Sequence, residues 1–158
     1  MTNLDLKSRV KILKSIGLFS SVREEVLNQI AEVLVPKKLE QDEVLFKKGD
    51  DDHTLYIVVK GSVKAHVGDH NYAVFQYSDY FGEYSLLDSS TRSTSATALE
   101  VTELLGFDQT DFFRFLDNNP SMVRAMLNSL VWRLRDYNFL EAELTAKNLE
   151  VHKQKEAI

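Results

Sequence analysis

Twelve residues, Phe81 to Arg92, carry the chemistry most specific to this chain: Phe-Gly-Glu-Tyr-Ser-Leu-Leu-Asp-Ser-Ser-Thr-Arg. Gly82 permits a sharp backbone turn. A short apolar helix through Leu86 and Leu87 then presents free N–H groups, and the positive end of its dipole, to an anion. Arg92 follows in a Ser/Thr-rich loop and supplies a permanent, bidentate charge. Between Ala65 and Phe113 it is the only Lys or Arg, set among Asp69, Asp79, Glu83, Asp88, Glu100, Glu103, Asp108 and Asp111. An anion bound by this segment therefore depends on Arg92 for its countercharge. The bland alternative is a solvated arginine, with Glu83 placed only to complement a helix N-terminus.

The elements that must position this segment follow a helix, strand, helix order. Leu4, Leu6, Val10, Leu13 and Ile16 fall near helical spacing, with Gly17 as the expected C-cap. Ser21 and Glu24 form a capping-box pattern for a second helix carrying Val26, Leu27, Ile30, Val33 and Leu34, which Pro36 ends. From Pro36 the period becomes two. Strands are expected at Val44–Phe46, Leu55–Val59, Ser62–Val67, Tyr72–Tyr77, Thr94–Leu99 and Thr102–Phe107, with turns at Gly49, Lys60-Gly61 and Gly68-Asp69. Thr110 caps a short helix bearing Phe112, Phe113, Phe115 and Leu116, and Asn118-Asn119-Pro120 breaks it. A long helix starts at Pro120 and runs past Trp132 to at least Glu143, with a fraying polar tail beyond.

The expected fold class is α+β: an antiparallel β-roll or jelly-roll barrel flanked by N-terminal helices and a long C-terminal helix. It forms one domain over 1–158, with a helical lead-in at 4–35, the β-roll at 36–108, C-terminal helices at 109–146 and a polar tail at 147–158. Composition narrows the function. The chain has 158 residues, no cysteine and a net charge of −5. The absence of cysteine removes thiolate chemistry, and the net negative charge argues against general affinity for nucleic acid, with Lys37-Lys38 and Lys47-Lys48 expected as solvated strand edges. No run approaches a membrane span, and the N-terminus is unlike a signal peptide. A cytoplasmic protein is expected.

At this point the sequence resembles a cyclic nucleotide-binding domain, as found in the bacterial catabolite activator and the regulatory subunit of cAMP-dependent kinase. The resemblance covers about Ile12 to Tyr137. It rests on Ile12–Ser20 before a helix, on Gly49-Asp50-Asp51-Asp52 through Tyr56-Ile57 to Gly61-Ser62-Val63-Lys64, and on Phe81–Leu87 followed by Arg92. It implies that Arg92 holds the cyclic phosphate, Glu83 accepts from the ribose 2′-hydroxyl, and backbone amides near Ser85 and Leu86 cap the phosphate. Gly82 and Tyr84 belong to the same cassette, and Ser93 adds a hydroxyl. Tyr137 and Asn138 would cover the base. Many relatives have glycine at Ser78 and Ser89 and proline at Thr91, so this loop is expected to be looser. Arg92-Ser93 resembles the catabolite activator, which favours cAMP; a hydroxyl there also resembles the cGMP-dependent kinase.

Three further expectations remain. Leu130, Tyr137, Leu144 and Val151 recur every seven residues, flanked by Leu127 and Leu134, which suits a homodimer seam; Glu141 and Asn148 interrupt it. A binding-dead scaffold of the same fold competes with the sensor. So does a metal-dependent cupin using His53, His66 and His70, although no third ligand follows from the spacing. With no nucleophile–base pair, no enzyme activity and no cofactor are expected. Too few residues follow the long helix for a helix-turn-helix domain, so the effect passes to an unidentified effector protein.

Overall fold

The computed structural model describes residues 4–157. Helix α1 (Leu6–Ser15) is capped by Asp5, whose carboxylate accepts from the Ser8 amide at 2.8 Å. It ends at Ile16, so Gly17 is not its C-cap but opens a 3-10 turn, Gly17–Phe19. Helix α2 (Glu24–Val33) begins three residues after Ser21, and its N-cap Arg23 makes no side-chain capping bond. The 3-10 turn displaces the capping box: Val22 N–H already bonds the Phe19 carbonyl, and Ser20 Oγ donates to Gly17. At the other end of α2, Arg9 of α1 donates to the carbonyls of Ala31 and Leu34 at 3.0 and 2.9 Å. A cation thus satisfies carbonyls that the helix leaves open.

Eight strands follow: β1 (Val35–Leu39), β2 (Val44–Phe46), β3 (Leu55–Lys60), β4 (Val63–Val67), β5 (His70–Phe75), β6 (Tyr80–Phe81), β7 (Ser95–Ala98) and β8 (Thr102–Phe107). They form two antiparallel four-stranded sheets, ordered β1-β8-β3-β6 and β2-β7-β4-β5, and not a closed barrel. Strand β1 contains Pro36, which lacks an amide for a ladder, and it sits at a sheet edge where that defect is tolerated. Strands β3 and β8 are central. Leu55, Ile57, Leu105 and Phe107 face the helices, whereas Tyr56, Val58 and Leu104 face the second sheet. Burial on both faces explains their unbroken apolar runs.

Two cores result. One joins α1, α2 and the start of the C-terminal helix to the first sheet, with Leu13, Phe19, Ile30, Phe107 and Phe112 fully buried. The other lies between the sheets and contains Phe46, Tyr56 and Phe81. Helix α3 (Glu83–Asp88) follows β6; α4 (Gln109–Asn118) is capped by Asp108, not Thr110, whose amide bonds that carboxylate at 2.8 Å. Helix α5 (Pro120–Glu156) has 37 residues, or about 55 Å at 1.5 Å per residue. The tail beyond 147 is helical to Glu156; Ile158, at its end, lies outside the described residues.

Ser78 and Ser89 adopt φ of 65° and 57°, the left-handed region that glycine enters freely. Ser78→Gly should therefore raise stability by roughly 0.5–1 kcal/mol, the relief of strain exceeding the added unfolded-state entropy. The melting temperature should rise by about 1–4 °C. An unchanged or lower value would show that the serine hydroxyl contributes more than the strain costs.

Candidate functional site

Arg92 lies in the connection from α3 to β7, and its backbone is locked before its side chain is considered. Its amide donates to Asp50 at 2.9 Å, and its carbonyl accepts from Gly49 at 2.8 Å. The side chain is only 2% exposed. Its Nη1 donates to the Gly82 carbonyl at 3.1 Å and to Ser85 Oγ at 2.7 Å. Its Nη2 donates to the Thr54 carbonyl at 2.7 Å and pairs with Asp52 Oδ2 at 2.9 Å. The guanidinium carbon sits 4.1 Å above the Phe46 ring, a cation–π contact in a dry setting. Nε is buried without a hydrogen-bond partner, the only such side-chain atom among the described residues. A buried, unpaired N–H on a cation is costly, and an anionic oxygen beside it would remove that cost.

Asp52 orients the arginine. It also accepts from the Thr54 amide at 3.1 Å and from the Tyr56 hydroxyl at 3.2 Å. Burial pushes its carboxyl up, but the Arg92 hydrogen bond and charge, with the Thr54 bonds, hold it below the ordinary carboxylate value. Tyr56 moves the other way: burial, the Asp52 charge and the Asp52 hydrogen bond push its phenol up to about 12. A carboxyl depressed on folding contributes stability above its unfolded value near 3.9, and loses it as pH falls through the folded value. The melting temperature should thus fall below about pH 4. Asp52→Asn should flatten the acid limb; an unaltered limb would assign it to other carboxylates.

Glu83 opens α3 and is 5% exposed, next to Gly82 at φ 89°. Its carboxylate pairs with Arg133 of α5, and the Arg133 guanidinium lies 5.3 Å from the Tyr80 ring centre. Tyr80 Oη and Ser129 Oγ, 2.8 Å apart, join β6 to α5 beside this pair. The first α3 amide to make a helical bond is Leu86, to the Gly82 carbonyl at 3.4 Å, so the amides of Glu83, Tyr84 and Ser85 precede it.

A cavity of about 610 Å³ brings Arg92, Glu83 and Arg133 together. Gly82, Glu83, Tyr84, Ser85, Arg92 and Ser93 all line it, over an apolar wall that includes Phe46, Phe75 and Phe81. Leu86 does not line it; its side chain is fully buried in the helical core. Tyr137 and Asn138 do not line it either, and both are exposed. The reason is the path of α5: Arg133 is its last half-buried residue, and every described residue from Leu134 onward is exposed. Arg133 is the residue of α5 that lines the cavity. A larger groove of about 900 Å³ shares Arg133 but contains neither Arg92 nor Glu83. The chemistry points to the smaller one.

Asp52, Phe46, Tyr72 and Arg133 were not foreseen at this site. Asp52 was visible only as part of an aspartate-rich turn, and the other three carry no local signal. The histidines do not converge. His53 Nε2 lies 2.7 Å from Asp51, and His66 Nε2 lies 2.7 Å from Thr97 Oγ1. Among the described residues no group of three His, Cys, Asp or Glu could hold a metal ion. No helix described is long and apolar enough to cross a membrane.

The cyclic AMP receptor protein of Thermus thermophilus is 31% identical over 137 residues, which is 84% of this chain and 63% of that protein. The cGMP-dependent protein kinase of Toxoplasma gondii is 30% identical over 130 residues, 78% of this chain and 13% of the kinase. The crystal structure of the Thermus thermophilus catabolite activator protein superposes with a TM-score of 0.73 at 29% identity, covering 82% of this chain and 63% of that one. The chain thus spans less than two thirds of the length of these relatives. Residues 36–119 match the family described as "Cyclic nucleotide-binding domain". This chain belongs to the cyclic nucleotide-binding domain family.

Proposed function

We propose that this domain is a non-catalytic, cytoplasmic cyclic nucleotide sensor that prefers cAMP to cGMP and signals through α5. The buried Arg92 guanidinium carries the reading, because it lines one cavity with the buried Glu83 carboxylate and its Nε has no acceptor within the protein. A cyclic phosphate oxygen satisfies Nε–H, and a ribose hydroxyl donates to Glu83. Ser93, next to Arg92 in the cavity lining, adds a hydroxyl to the phosphate. The Arg92-Ser93 pair, similar to the catabolite activator, supports cAMP.

Glu83 supplies the coupling. Its present partner is Arg133 of α5, so a hydroxyl arriving at Glu83 changes what holds the helix. Only differential affinity for two α5 positions converts binding into movement. In one position Tyr137 and Asn138 reach the base; in the position described they do not. Hydrogen exchange over residues 124–137 should change when cAMP is added, and Arg133→Ala should abolish that change. Identical exchange with and without cAMP would contradict the coupling.

A second copy of the chain is the proposed first partner of α5. Leu127, Leu134, Tyr137, Leu144 and Val151 are all exposed along it, at the spacing of a two-stranded seam. An effector protein would read the resulting dimer. One observation favours a binding-dead scaffold instead: the Arg92 Nη atoms already have four internal acceptors. Direct titration with cAMP and cGMP separates the two readings.

A further inference from the structure

Building on the cyclic nucleotide reading, we propose that Tyr72 stacks on the purine from the sheet side of the cavity, delivered there by a β-bulge in β5. Strands β4 and β5 pair as Ala65 with Ala73 and then His66 with Asn71, which leaves Tyr72 as the extra, unpaired residue. In regular alternation Ala73 and Phe75 would line the cavity, and Tyr72 would face the opposite side. Instead all three line it. A bulge of this kind re-aims a side chain beside a binding site.

The Tyr72 ring is suited to a planar ligand. It is 62% exposed although it lines the cavity, so no protein atom occupies much of its surface. His70 braces it edge-on, with ring centres 4.6 Å apart and planes at 75°. An aromatic side chain with two torsions, already held by a neighbour, loses little entropy on binding. The cavity walls nearest β5 are Ala65, Ala73 and Phe75, which leave flat space and few polar demands. Arg92 and Glu83 fix the phosphate and ribose, and the base then extends toward this wall.

The test is calorimetric titration of cAMP and cyclic CMP into wild type, Tyr72→Leu, Tyr72→Phe and Arg92→Ala. The exposed position and the conservative Phe variant guard against misfolding. Tyr72→Leu should bind cAMP about 5- to 150-fold more weakly, while Tyr72→Phe stays near wild type. The preference for the purine over the pyrimidine should shrink in Tyr72→Leu, which a purely structural role would not cause. Wild-type affinity and an unchanged purine preference in Tyr72→Leu, with binding still lost in Arg92→Ala, would overturn the stacking role alone. No binding by wild type would overturn both this inference and the nucleotide reading.

Discussion

Arg92→Ala should lower cyclic nucleotide affinity by two to three decades or more, because a buried phosphate left without its cation costs roughly 3–5 kcal/mol. The same substitution should lower the melting temperature without ligand. It strips Asp52 of its ion partner, and the carbonyls of Gly82 and Thr54 and the Ser85 hydroxyl of their donor. The two effects separate in a double variant. Asp52→Ala added to Arg92→Ala removes the stranded carboxylate, so part of the stability should return while binding stays lost. Arg92→Lys should not restore affinity, since one ammonium cannot serve several acceptors and an Nε site together. Calorimetry and thermal denaturation on the same samples check both parts. Unchanged affinity in Arg92→Ala would remove this residue from the site.

Gly82→Ala should be nearly as damaging, by geometry instead of charge. A Cβ at this position would lie 2.6 Å from Arg92 Nη1 and 2.8 Å from the Thr54 carbonyl oxygen. The backbone is at φ 89°, which side chains rarely adopt. Strain of about 1–3 kcal/mol corresponds to a melting temperature lower by roughly 3–10 °C. The Arg92 guanidinium must shift as well, so affinity should drop by about tenfold or more. Gly68→Ala is the matched control. Gly68 also has positive φ, at 57°, but a Cβ there meets nothing within 4 Å. It should lose stability through strain and keep its affinity. Equal affinity in the two variants would show that the Gly82 contact with Arg92 does not matter.

Legibility in the sequence followed locality. Strand β8 has the bounds expected from its pattern, Thr102–Phe107, because apolar runs between clear turns need no partner to be recognised. Strand β1 was missed because Pro36 reads as a helix stop, and only its edge position makes it acceptable in a sheet. The start of α2 was misplaced because Ser21 and Glu24 have capping-box spacing while the chain spends those residues on a 3-10 turn. At the site, Gly82, Glu83 and Arg92 stood out through a glycine and an isolated charge within twelve residues. Asp52 comes from a loop forty residues before Arg92, and its role exists only after β3 brings the loop across. Arg133 is one arginine on a long, largely exposed helix and carries no local mark. Tyr137 did carry one, its heptad position, and that mark belongs to the exposed face of α5.

The bulge at Tyr72 is of the same nonlocal kind. The sequence pattern predicts a plain return strand over residues 72 to 77, and the slipped register appears only in the pairing with β4. Such a slip reverses which face a side chain occupies. Its consequence here is an aromatic ring beside the apolar wall of the cavity.

Isothermal titration of the wild-type chain with cAMP and with cGMP tests the central claim most directly. Saturable one-to-one binding, tighter for cAMP and accompanied by a higher melting temperature, is the expected result. No heat and no shift in melting temperature with either nucleotide would contradict it and leave the fold as a scaffold whose partner surface is α5.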